Sequence, residues 1–549
     1  MQHRTENPDE HVAALLALCA DPRASTAHLL CDRHEPSAIA FTLIERDLSS
    51  MDVSYGELRR LSERLAAALV ARGLRRGDRV ATLMGKSLAY LVTVLAIWRI
   101  GAVHVPLFTA FAPPAIAFRV IASRCKFIFC DDSQRAKLDF PESSDRELPW
   151  TPISVGGSDA GALAYEDLMA SDAPPVPAAA VGGDGAIVQI YTSGTTGAPK
   201  GVVVPLRAVA AFLTYARYGL DIRENDVFWN AADPGWAYGL YYAVIAPLAS
   251  GARSLLLSGG FAADTTLEVL RRFGVTNFAA APTVFRALRA AGSRPRGLKL
   301  RCASSAGEPL TPEVNEWSQA ALGVGVHDHY GQTEAGMLIN NHHHPALRRP
   351  LQRGSMGHVL PGWNAVVLKN DADLPAPAGE AGRLAIDLRA SPLAWFEGYV
   401  GDAARSAEKF SVDGRWYITG DAGLMDVQGY FRFCSRDDDV IIMAGYRIGP
   451  FEIESVLISH PAVAECAVVA APDPLRGEVL EAFVVLHEAH AASAALTEEL
   501  QEWVKRRYAA HAYPRRVHYA DSLPKTPSGK VQRFVLRQQL REAPGPVSA

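Results

Sequence analysis

The chain has 549 residues, of which 49% are hydrophobic and 21% charged, and this composition excludes a largely disordered protein. The formal net charge of −4 disfavours a surface whose main function is to bind nucleic acid. At about 150 residues per domain, the length suits either three to four domains or one large unit with a small one.

The first ten residues are polar and lack the apolar segment of a secretory signal. The longest apolar stretch, residues 88–98, is too short for a membrane-spanning helix, which needs roughly 20 residues. The seven cysteines are scattered and form no CxxC pair, a pattern typical of reduced thiols rather than of disulfides or a zinc site. We therefore expect a cytoplasmic protein with no membrane span and no nucleic-acid partner.

Strands that alternate with helices are predicted along the first part of the chain. Ser54 and Glu57 form a capping-box pattern, leucines at helical spacing follow, and Gly73 is the predicted stop. Further elements are predicted in chain order: a strand at 80–83, a helix at 88–99, a strand at 104–108, a helix near 115–122 and a strand at 126–131. This alternation favours a parallel α/β sheet.

A loop rich in Ala, Pro and Gly is predicted over residues 171–185, and it ends at a short apolar strand over 186–191. The last hundred or so residues predict a small α+β unit with strands near Val440 and Val484. The segment 435–439, SRDDD, lies between two strand-like runs and predicts a second boundary.

The segment YTSGTTGAPKG at residues 191–201 is the strongest chemical signal in the sequence. Its glycines let backbone N–H groups approach an anion, its hydroxyl groups add donors, and Lys200 supplies a positive charge. The spacing does not match the Walker pattern GxxxxGK[ST], which makes a P-loop or kinase-type interpretation poor. The segment therefore predicts a phosphate-binding loop of another kind.

This segment resembles the signature loop of the adenylate-forming superfamily, which includes acyl-CoA synthetases, peptide-synthetase adenylation domains and luciferases. Further motifs follow in the superfamily's order: AGEPL at 306–310, YGQTE at 330–334, TGD at 419–421, SRDDD at 435–439, AGYRIGPFEIE at 444–454 and LPKTPSGK at 523–530. The carboxyl-terminal stretch resembles in particular the short- and medium-chain acyl-CoA synthetases of the acetyl-CoA synthetase-like group.

The resemblance implies an α/β fold in two parts. Residues 1–435 would form a large amino-terminal adenylation domain of α/β sheets with a β-barrel-like subdomain. Residues 436–439 would be a hinge with Asp438 as its pivot, and residues 440–549 a small mobile α+β domain that carries the catalytic lysine. The small domain of the superfamily rotates between two half-reactions, and a short charged segment tolerates this because its side chains stay hydrated.

The resemblance also implies the reaction. A carboxylic acid, ATP and coenzyme A would give acyl-CoA, AMP and diphosphate through an acyl-adenylate, with Mg²⁺ bound beside ATP. Two alternatives of the same class remain open: a synthetase specific for acetate or propionate, and a ligase that loads the thiol of a carrier protein. A non-catalytic adenylate-binding protein is a third hypothesis, and the intact Glu334, Asp421 and Lys530 argue against it.

Site residues follow from the motifs of the resemblance. The implied catalytic residues are Thr333, Glu334, Arg447 and Lys530, with Glu334 as the Mg²⁺ ligand. The implied ATP- and AMP-binding residues are Thr192, Ser193, Gly194, Thr195, Thr196, Gly197, Lys200, Gly307, Glu308, Pro309, Asp328, Tyr330, Gln332, Thr333, Asp421, Arg436 and Lys530. Lys530 would bridge the carboxylate and the α-phosphate. Acylation of Lys530 would remove its charge, so a lysine acyltransferase or deacylase is a further expected partner.

The resemblance implies a coenzyme A side formed by Ala444, Gly445 and Lys505, where the missing side chain of Gly445 would let the pantetheine arm pass. The implied acyl pocket is formed by Trp236, Tyr238 and Gly331. Acetyl-CoA synthetases carry a pocket-closing tryptophan at the position of Gly331, so a pocket larger than acetate is expected.

Three consecutive histidines, at 342–344, invite a metal-site interpretation. Consecutive side chains cannot all face one ion, so a polar loop is expected there.

Overall fold

The structure is a computed structural model that describes residues 7–139, 150–157, 161–192, 199–292, 295–436, 439–443, 446–473, 477–509, 512–526 and 530–542. At positions 442, 446, 447 and 477 it describes the backbone alone. Its four sheets are a seven-stranded, a nine-stranded, a four-stranded and a five-stranded sheet.

The seven-stranded sheet is parallel except at one edge, as the alternating pattern predicted. Its strands, in spatial order, are Leu163–Ala164, Thr151–Val155, Cys125–Asp131, Arg79–Leu83, Val103–Pro106, Ala186–Thr192 and Lys200–Pro205. The last two strands are antiparallel, and Thr192 pairs with Lys200. The two ends of the predicted phosphate-binding loop therefore lie side by side at one edge of the sheet.

The nine-stranded sheet has a parallel centre, and one of its strands carries the predicted nucleotide residues Asp328, Tyr330 and Gln332. In spatial order its strands are His358–Val359, Gly336–Asn340, Val326–Gln332, Cys302–Ala306, Asn277–Ala280, Phe228–Asn230, Ser254–Leu257, Ile39–Ile44 and Ser50–Ser54. The strands ending at Ala306 and Gln332 are parallel neighbours. The AGEPL and YGQTE motifs, at the carboxyl ends of these strands, therefore lie on the same side of the sheet.

A four-stranded antiparallel sheet follows in the chain. Its strands are Ala365–Leu368, Gly382–Asp387, Trp416–Met425 and Phe431–Arg436. Asp421 and Arg436 are directly opposite each other in the last pair. This register brings two side chains that are 15 positions apart in the sequence into contact.

Helices pack on the sheets, and the first turn of one of them is capped as predicted. The α-helices are Pro8–Cys19, Tyr55–Ala71, Leu88–Ile100, Pro113–Ser123, Tyr165–Met169, Ala208–Thr214, Ala237–Gly239, Ala246–Ser250, Ala263–Arg272, Pro282–Ala290, Pro312–Ala321, Ala403–Ala407, Pro450–Ile458, Ala494–Arg507 and Arg533–Glu542. Two π-helical segments, Tyr215–Gly219 and Leu240–Ile245, continue helices of this set. As the capping box predicted, the Ser54 side chain accepts from the N–H of Glu57.

The last part of the chain has its own sheet and its own core. Its strands are Tyr446–Ile448, Ile441–Met443, Gly477–Leu486, Val463–Asp473 and Arg516–Tyr519, the last pairing in parallel with Gly477–Leu486. Buried residues from Ile441 to Ala512 form one cluster there. The strands predicted near Val440 and Val484 are both present.

A buried ion-pair cluster joins the first described residue after the predicted pivot to the last helix. Asp439 is 2.7 Å from Arg537 and 3.6 Å from Arg533. Arg533 also donates to both oxygens of Glu454, a buried carboxylate whose Oε1 also accepts from the N–H of Val468. These contacts fix Asp439 to the carboxyl-terminal unit.

All seven cysteines are free and buried, as expected. Within the described residues, no helix combines the length and the hydrophobicity that a membrane span requires.

Candidate active site

The site is centred on the buried carboxylate of Asp421, which is 3% exposed. Its Oδ2 accepts from the hydroxyl of Tyr330 at 2.5 Å and from the amide of Gln332 at 2.6 Å. Its Oδ1 lies 3.0 Å from Arg436. Tyr417 lies on the same face of its strand as Thr419 and Asp421. Its hydroxyl donates to the Oε1 of Gln332 at 2.7 Å and orients that amide.

The three direct partners, Tyr330, Gln332 and Arg436, stabilise a charge that burial alone would disfavour. Burial, followed by the charge of Asp421, raises the pKa of Tyr330, which keeps that phenol protonated and able to donate. The result is a carboxylate with a fixed orientation at the junction of two sheets.

A second acidic group lies beside the first. Glu334 is buried, and its Oε1 accepts from the hydroxyl of Tyr399 at 2.8 Å. Lys200 lies 5.0 Å from the Tyr399 ring, and Lys409 donates to the carbonyl of Thr419 at 2.8 Å. Two lysines therefore flank Glu334 without forming a direct ion pair with it among the described contacts.

Lys530 reaches this site from the far end of the chain. Its Nζ lies 5.9 Å from the ring of Trp236. Burial lowers its pKa, and the strongest opposing charge is that of Glu308, followed among the carboxylates by Asp421 and Glu334. The lysine motif of the last unit and the motifs of the large unit thus meet at one place.

The AGEPL loop packs directly against the DPGWAYG segment, residues 233–239. Gly307 has a φ of +103°, and a Cβ there would lie 2.5 Å from the Trp236 ring. Both the backbone conformation and the close contact require glycine. Glu308 pairs with Arg286 at 2.8 Å, and its Oε1 is buried without a hydrogen-bond partner among the described residues.

Asp328 lies on the strand below this loop. Its Oδ2 accepts from the N–H of Leu310 at 3.3 Å, so it supports the loop that carries Gly307 and Glu308. Burial raises the pKa of the Asp328 carboxyl to about 8. A carboxyl group held near neutrality at physiological pH is common at functional sites.

The remaining predicted residues divide into three groups. Thr192 and Lys200 lie at the strand ends beside the site, and the carbonyl of Thr333 accepts from Tyr241 at 3.1 Å. Ser193, Gly194, Thr195, Thr196, Gly197, Asp438, Ala444 and Gly445 lie outside the described residues, as does the side chain of Arg447. Lys505 contacts Glu502 at 2.6 Å and lies 4.3 Å from the Tyr513 ring, both within the carboxyl-terminal unit.

The role expected of Gly331 is wrong in its geometry. A Cβ at this position would lie 2.2 Å from the carbonyl oxygen of Gly336 and 2.7 Å from the Cα of Met337. It would point into the paired strand, where the register shifts between Tyr330 and Gly331, and not into open space. Glycine at 331 therefore allows two strands to approach, and it cannot be taken as the open floor of an acyl pocket.

Trp236 and Tyr238 differ in exposure. Trp236 is partly exposed beside Lys530, whereas Tyr238 is 2% exposed and lies one ring deeper, 5.7 Å from Trp236. Tyr238 packs in turn against Tyr242 at 5.4 Å. The segment thus leads from the lysine into a buried aromatic cluster.

The loop expected at 342–344 is present, but two of its histidines are buried. His342 and His343 are 3% and 8% exposed, and the ring of His343 stacks on His327 at 3.7 Å. The potential ligand atoms of His327, His329 and His343 lie within 4.8 Å of one another. Both ring nitrogens of His329 are already hydrogen-bonded, to Tyr215 and to the Asn341 carbonyl, so a metal would have to displace these partners.

Three site residues were missed in the sequence: Tyr399, Lys409 and Tyr417. Tyr417 could have been found from strand alternation, since it shares a face with Thr419 and Asp421. Tyr399 and Lys409 lie in irregular chain near the short helix Ala403–Ala407, and no periodic signal marks them.

Comparison with known proteins agrees with this geometry. Residues 32–399 match the family described as AMP-binding enzyme, and residues 452–530 match the AMP-binding enzyme C-terminal domain. The acetyl-coenzyme A synthetase of Bacillus subtilis (strain 168) is 33% identical over 529 residues, which cover 94% of this chain and 90% of that protein.

Two solved structures show the same fold. The acyl-CoA synthetase of Brucella canis is 42% identical, with a TM-score of 0.74 and coverage of 98% of both chains. The benzoate CoA ligase of Burkholderia xenovorans LB400 is 30% identical, with a TM-score of 0.82 and coverage of 94% of this chain and 100% of that one. The chain therefore belongs to the AMP-binding enzymes of the adenylate-forming superfamily and is an acid–thiol ligase of the acyl-CoA synthetase type.

Proposed function

We propose that this enzyme joins a short- or medium-chain carboxylic acid to coenzyme A through an acyl-adenylate. In the first half-reaction an oxygen of the acid forms a bond to the α-phosphorus of ATP, and diphosphate leaves. In the second the thiol of coenzyme A attacks the acyl carbon, and AMP leaves. The observation that carries the proposal is the meeting of Lys530 with the Asp421 and Glu334 carboxylates in one site.

Asp421 suits the ribose of the nucleotide. A carboxylate can accept from two neighbouring hydroxyl groups, and the partners of Asp421 fix its plane before any ligand arrives. Arg436 beside it, with Lys200 and Lys409 near Glu334, supplies positive charge for phosphates. The cationic side of the site matches the anionic transition state of phosphoryl transfer.

Glu334 fits a Mg²⁺ ligand. It offers hard carboxylate oxygens, its Oε1 is oriented by Tyr399, and it forms no direct ion pair among the described contacts. Bound Mg²⁺ would neutralise charge on the phosphates.

Lys530 would hold the two anionic reactants together. One ammonium group offers three donors, enough to bridge an oxygen of the acid and an oxygen of the α-phosphate. Its partly buried position strengthens both contacts relative to water. Burial lowers the pKa of Lys530, and the nearby carboxylates of Glu308, Asp421 and Glu334 oppose that shift by favouring the cation.

The second half-reaction requires a different arrangement of the last unit. We propose that Asp438 is the pivot, that Gly445 and Ala444 then border the pantetheine arm, and that Arg447 and Lys505 meet the anionic parts of the ligands. Asp439 is an unsuitable pivot because Arg533 and Arg537 fix it to the moving unit. The rotation would therefore be confined to positions 437 and 438.

The acid is proposed to enter beside Trp236 with its carboxylate at Lys530. Because Gly331 does not form the floor of the pocket, we propose that Trp236 and Tyr238 limit the length of the acid. One of the similar proteins named above is an acetyl-coenzyme A synthetase and another a benzoate CoA ligase, so the alternative of a synthetase specific for acetate or propionate stays open. The alternative of a carrier-protein ligase differs only in the thiol.

The raised pKa of Asp328 should make the free energy of unfolding depend on pH. Its carboxyl ionises at about 8 in the folded protein and near 3.9 in an unfolded chain. Between these values the folded protein binds more protons, so its free energy of unfolding falls as pH rises, by up to about 1.4 kcal/mol for each pH unit. Asp328→Asn removes this loss, so the free energy of unfolding of the variant should rise relative to that of the parent as the pH increases from 5 to 8. Urea denaturation at three pH values measures the gap.

The exposed Asp371→Asn variant is the control for this measurement. Its difference from the parent should not change with pH. A gap between parent and Asp328→Asn that stays constant from pH 5 to pH 8 would show that Asp328 ionises normally.

Lys530→Ala should lower carboxylate-dependent exchange of diphosphate into ATP by about 10²–10³-fold or more, because one electrostatic contact to the transition state is lost. Thioester formation from supplied acyl-adenylate should survive. Lys525→Ala, in the same motif but paired with Glu465 at 2.7 Å, is the matched control.

Gly445→Leu should show the reverse pattern: diphosphate exchange should survive, and thioester formation should be lost. Acylated Lys530 should behave like the Lys530→Ala variant. Equal loss in both half-reactions would contradict the division of roles.

A series of straight-chain acids tests the substrate class. We expect kcat/KM for AMP release with coenzyme A to rise from acetate through propionate and butyrate, by roughly fourfold for each buried methylene, until the pocket is full. A maximum at acetate supports the acetate-specific alternative instead. Faster turnover with a phosphopantetheinylated carrier protein than with coenzyme A supports the carrier-loading alternative.

A further inference from the structure

A buried chain of hydrogen bonds runs from the nine-stranded sheet into the aromatic cluster. The Asn341 carbonyl lies 3.1 Å from the Nε2 of His329, and the Nδ1 of His329 lies 2.6 Å from the Tyr215 hydroxyl. The Tyr215 hydroxyl lies 3.3 Å from that of Tyr238. All four residues are buried: Tyr215, Tyr238, His329 and, at 7% exposure, Asn341.

The carbonyl at one end fixes the direction of every bond in this chain. A carbonyl oxygen only accepts, so the Nε2 of His329 carries a proton and donates. Burial lowers the pKa of His329, so the ring is neutral and its Nδ1 can only accept. The Tyr215 hydroxyl must then donate to that nitrogen.

The same reasoning fixes the last hydroxyl. Because the proton of Tyr215 is directed to His329, the oxygen of Tyr215 can only accept from Tyr238. The O–H of Tyr238 is therefore committed to Tyr215, and its oxygen keeps lone pairs but no free proton. Tyr238 can accept a further hydrogen bond and cannot donate one.

Tyr238 lies where the body of a bound acid would end. Lys530, the proposed anchor of the carboxylate, lies 5.9 Å from the Trp236 ring, and Tyr238 is the next ring inward at 5.7 Å. An acid held at Lys530 and extending past Trp236 would meet Tyr238.

We propose that Tyr238 selects for carboxylic acids that carry a hydrogen-bond donor, such as a hydroxyl group, on the carbon chain away from the carboxylate, and against acids that carry only an acceptor there. The inference rests on the proposed function. An acceptor group placed against Tyr238 leaves two buried oxygens facing each other without a proton, whereas a hydroxyl group supplies it. A buried mismatch of this kind corresponds to roughly 10- to 100-fold in kcat/KM.

The test uses acids with the same number of heavy atoms. The first set is 4-hydroxypentanoate, 4-oxopentanoate and 4-methylpentanoate, and the second places the same groups on carbon 5 of hexanoate. With the parent enzyme, kcat/KM for AMP release should be at least about tenfold higher for the hydroxy acid than for the oxo acid in one of the sets.

Three variants distinguish an effect of hydrogen-bond direction from an effect of side-chain packing. Tyr215→Phe frees the proton of Tyr238, so the oxo acid should recover and the ratio of hydroxy to oxo acid should approach one. Tyr238→Phe should lower the hydroxy acid to the level of the methyl acid. Tyr242→Phe is the matched control, because its ring packs against both tyrosines while its hydroxyl accepts from the N–H of Met337, outside the chain. It should keep the parent ratio.

Two results would overturn the inference alone: equal use of hydroxy and oxo acids by the parent in both sets, or a preference that survives in Tyr215→Phe. No release of AMP with coenzyme A and any acid, including the straight-chain series, would instead contradict the proposed function on which the inference rests.

Discussion

The arrangement of the site depends on one buried charge, the carboxylate of Asp421. An isolated carboxylate at this depth would be strongly disfavoured, and its stability requires donors on every side. Tyr330 and Gln332 come from the nine-stranded sheet, whereas Arg436 comes from the adjacent strand of the four-stranded sheet. The carboxylate thus holds two sheets together at the place where the nucleotide is proposed to bind.

The same interaction extends to the end of the chain. Arg436 is the last described residue before the predicted pivot, and Asp439 just beyond it is fixed to the terminal helix through Arg537. Between these two anchored residues lie only positions 437 and 438. Lys530, carried by the unit beyond the pivot, reaches the same site as Asp421. A rotation at the pivot would therefore remove Lys530 while leaving the Asp421 cluster intact.

The sequence predicted the fold class and several elements well, because local patterns specify them. The helix capped by Ser54 and the strand before the predicted phosphate-binding loop lie where periodicity and turn residues placed them. The motif residues Asp421 and Tyr330 are in contact because they lie on strands of two sheets that meet at the site.

What the sequence could not predict depends on side-chain direction and long-range register. Gly331 was interpreted as empty pocket space, but a shift in register turns its Cβ direction into the paired strand. His343 was interpreted as part of a polar loop, but its ring stacks on that of His327 and is buried. Tyr399 reaches Glu334 across 65 positions, and no local pattern encodes such a contact.

The transfer of oxygen from the acid to AMP tests the central claim most directly. The acid is supplied with both carboxylate oxygens as ¹⁸O, together with ATP, Mg²⁺ and coenzyme A. The ¹⁸O content of each product is then measured by mass spectrometry. Attack of the carboxylate on the α-phosphorus, followed by release of AMP by the thiol, predicts one ¹⁸O in AMP, one in the thioester and none in diphosphate. Label in diphosphate or inorganic phosphate, or unlabelled AMP, would contradict an acyl-adenylate formed in the site of Asp421 and Lys530.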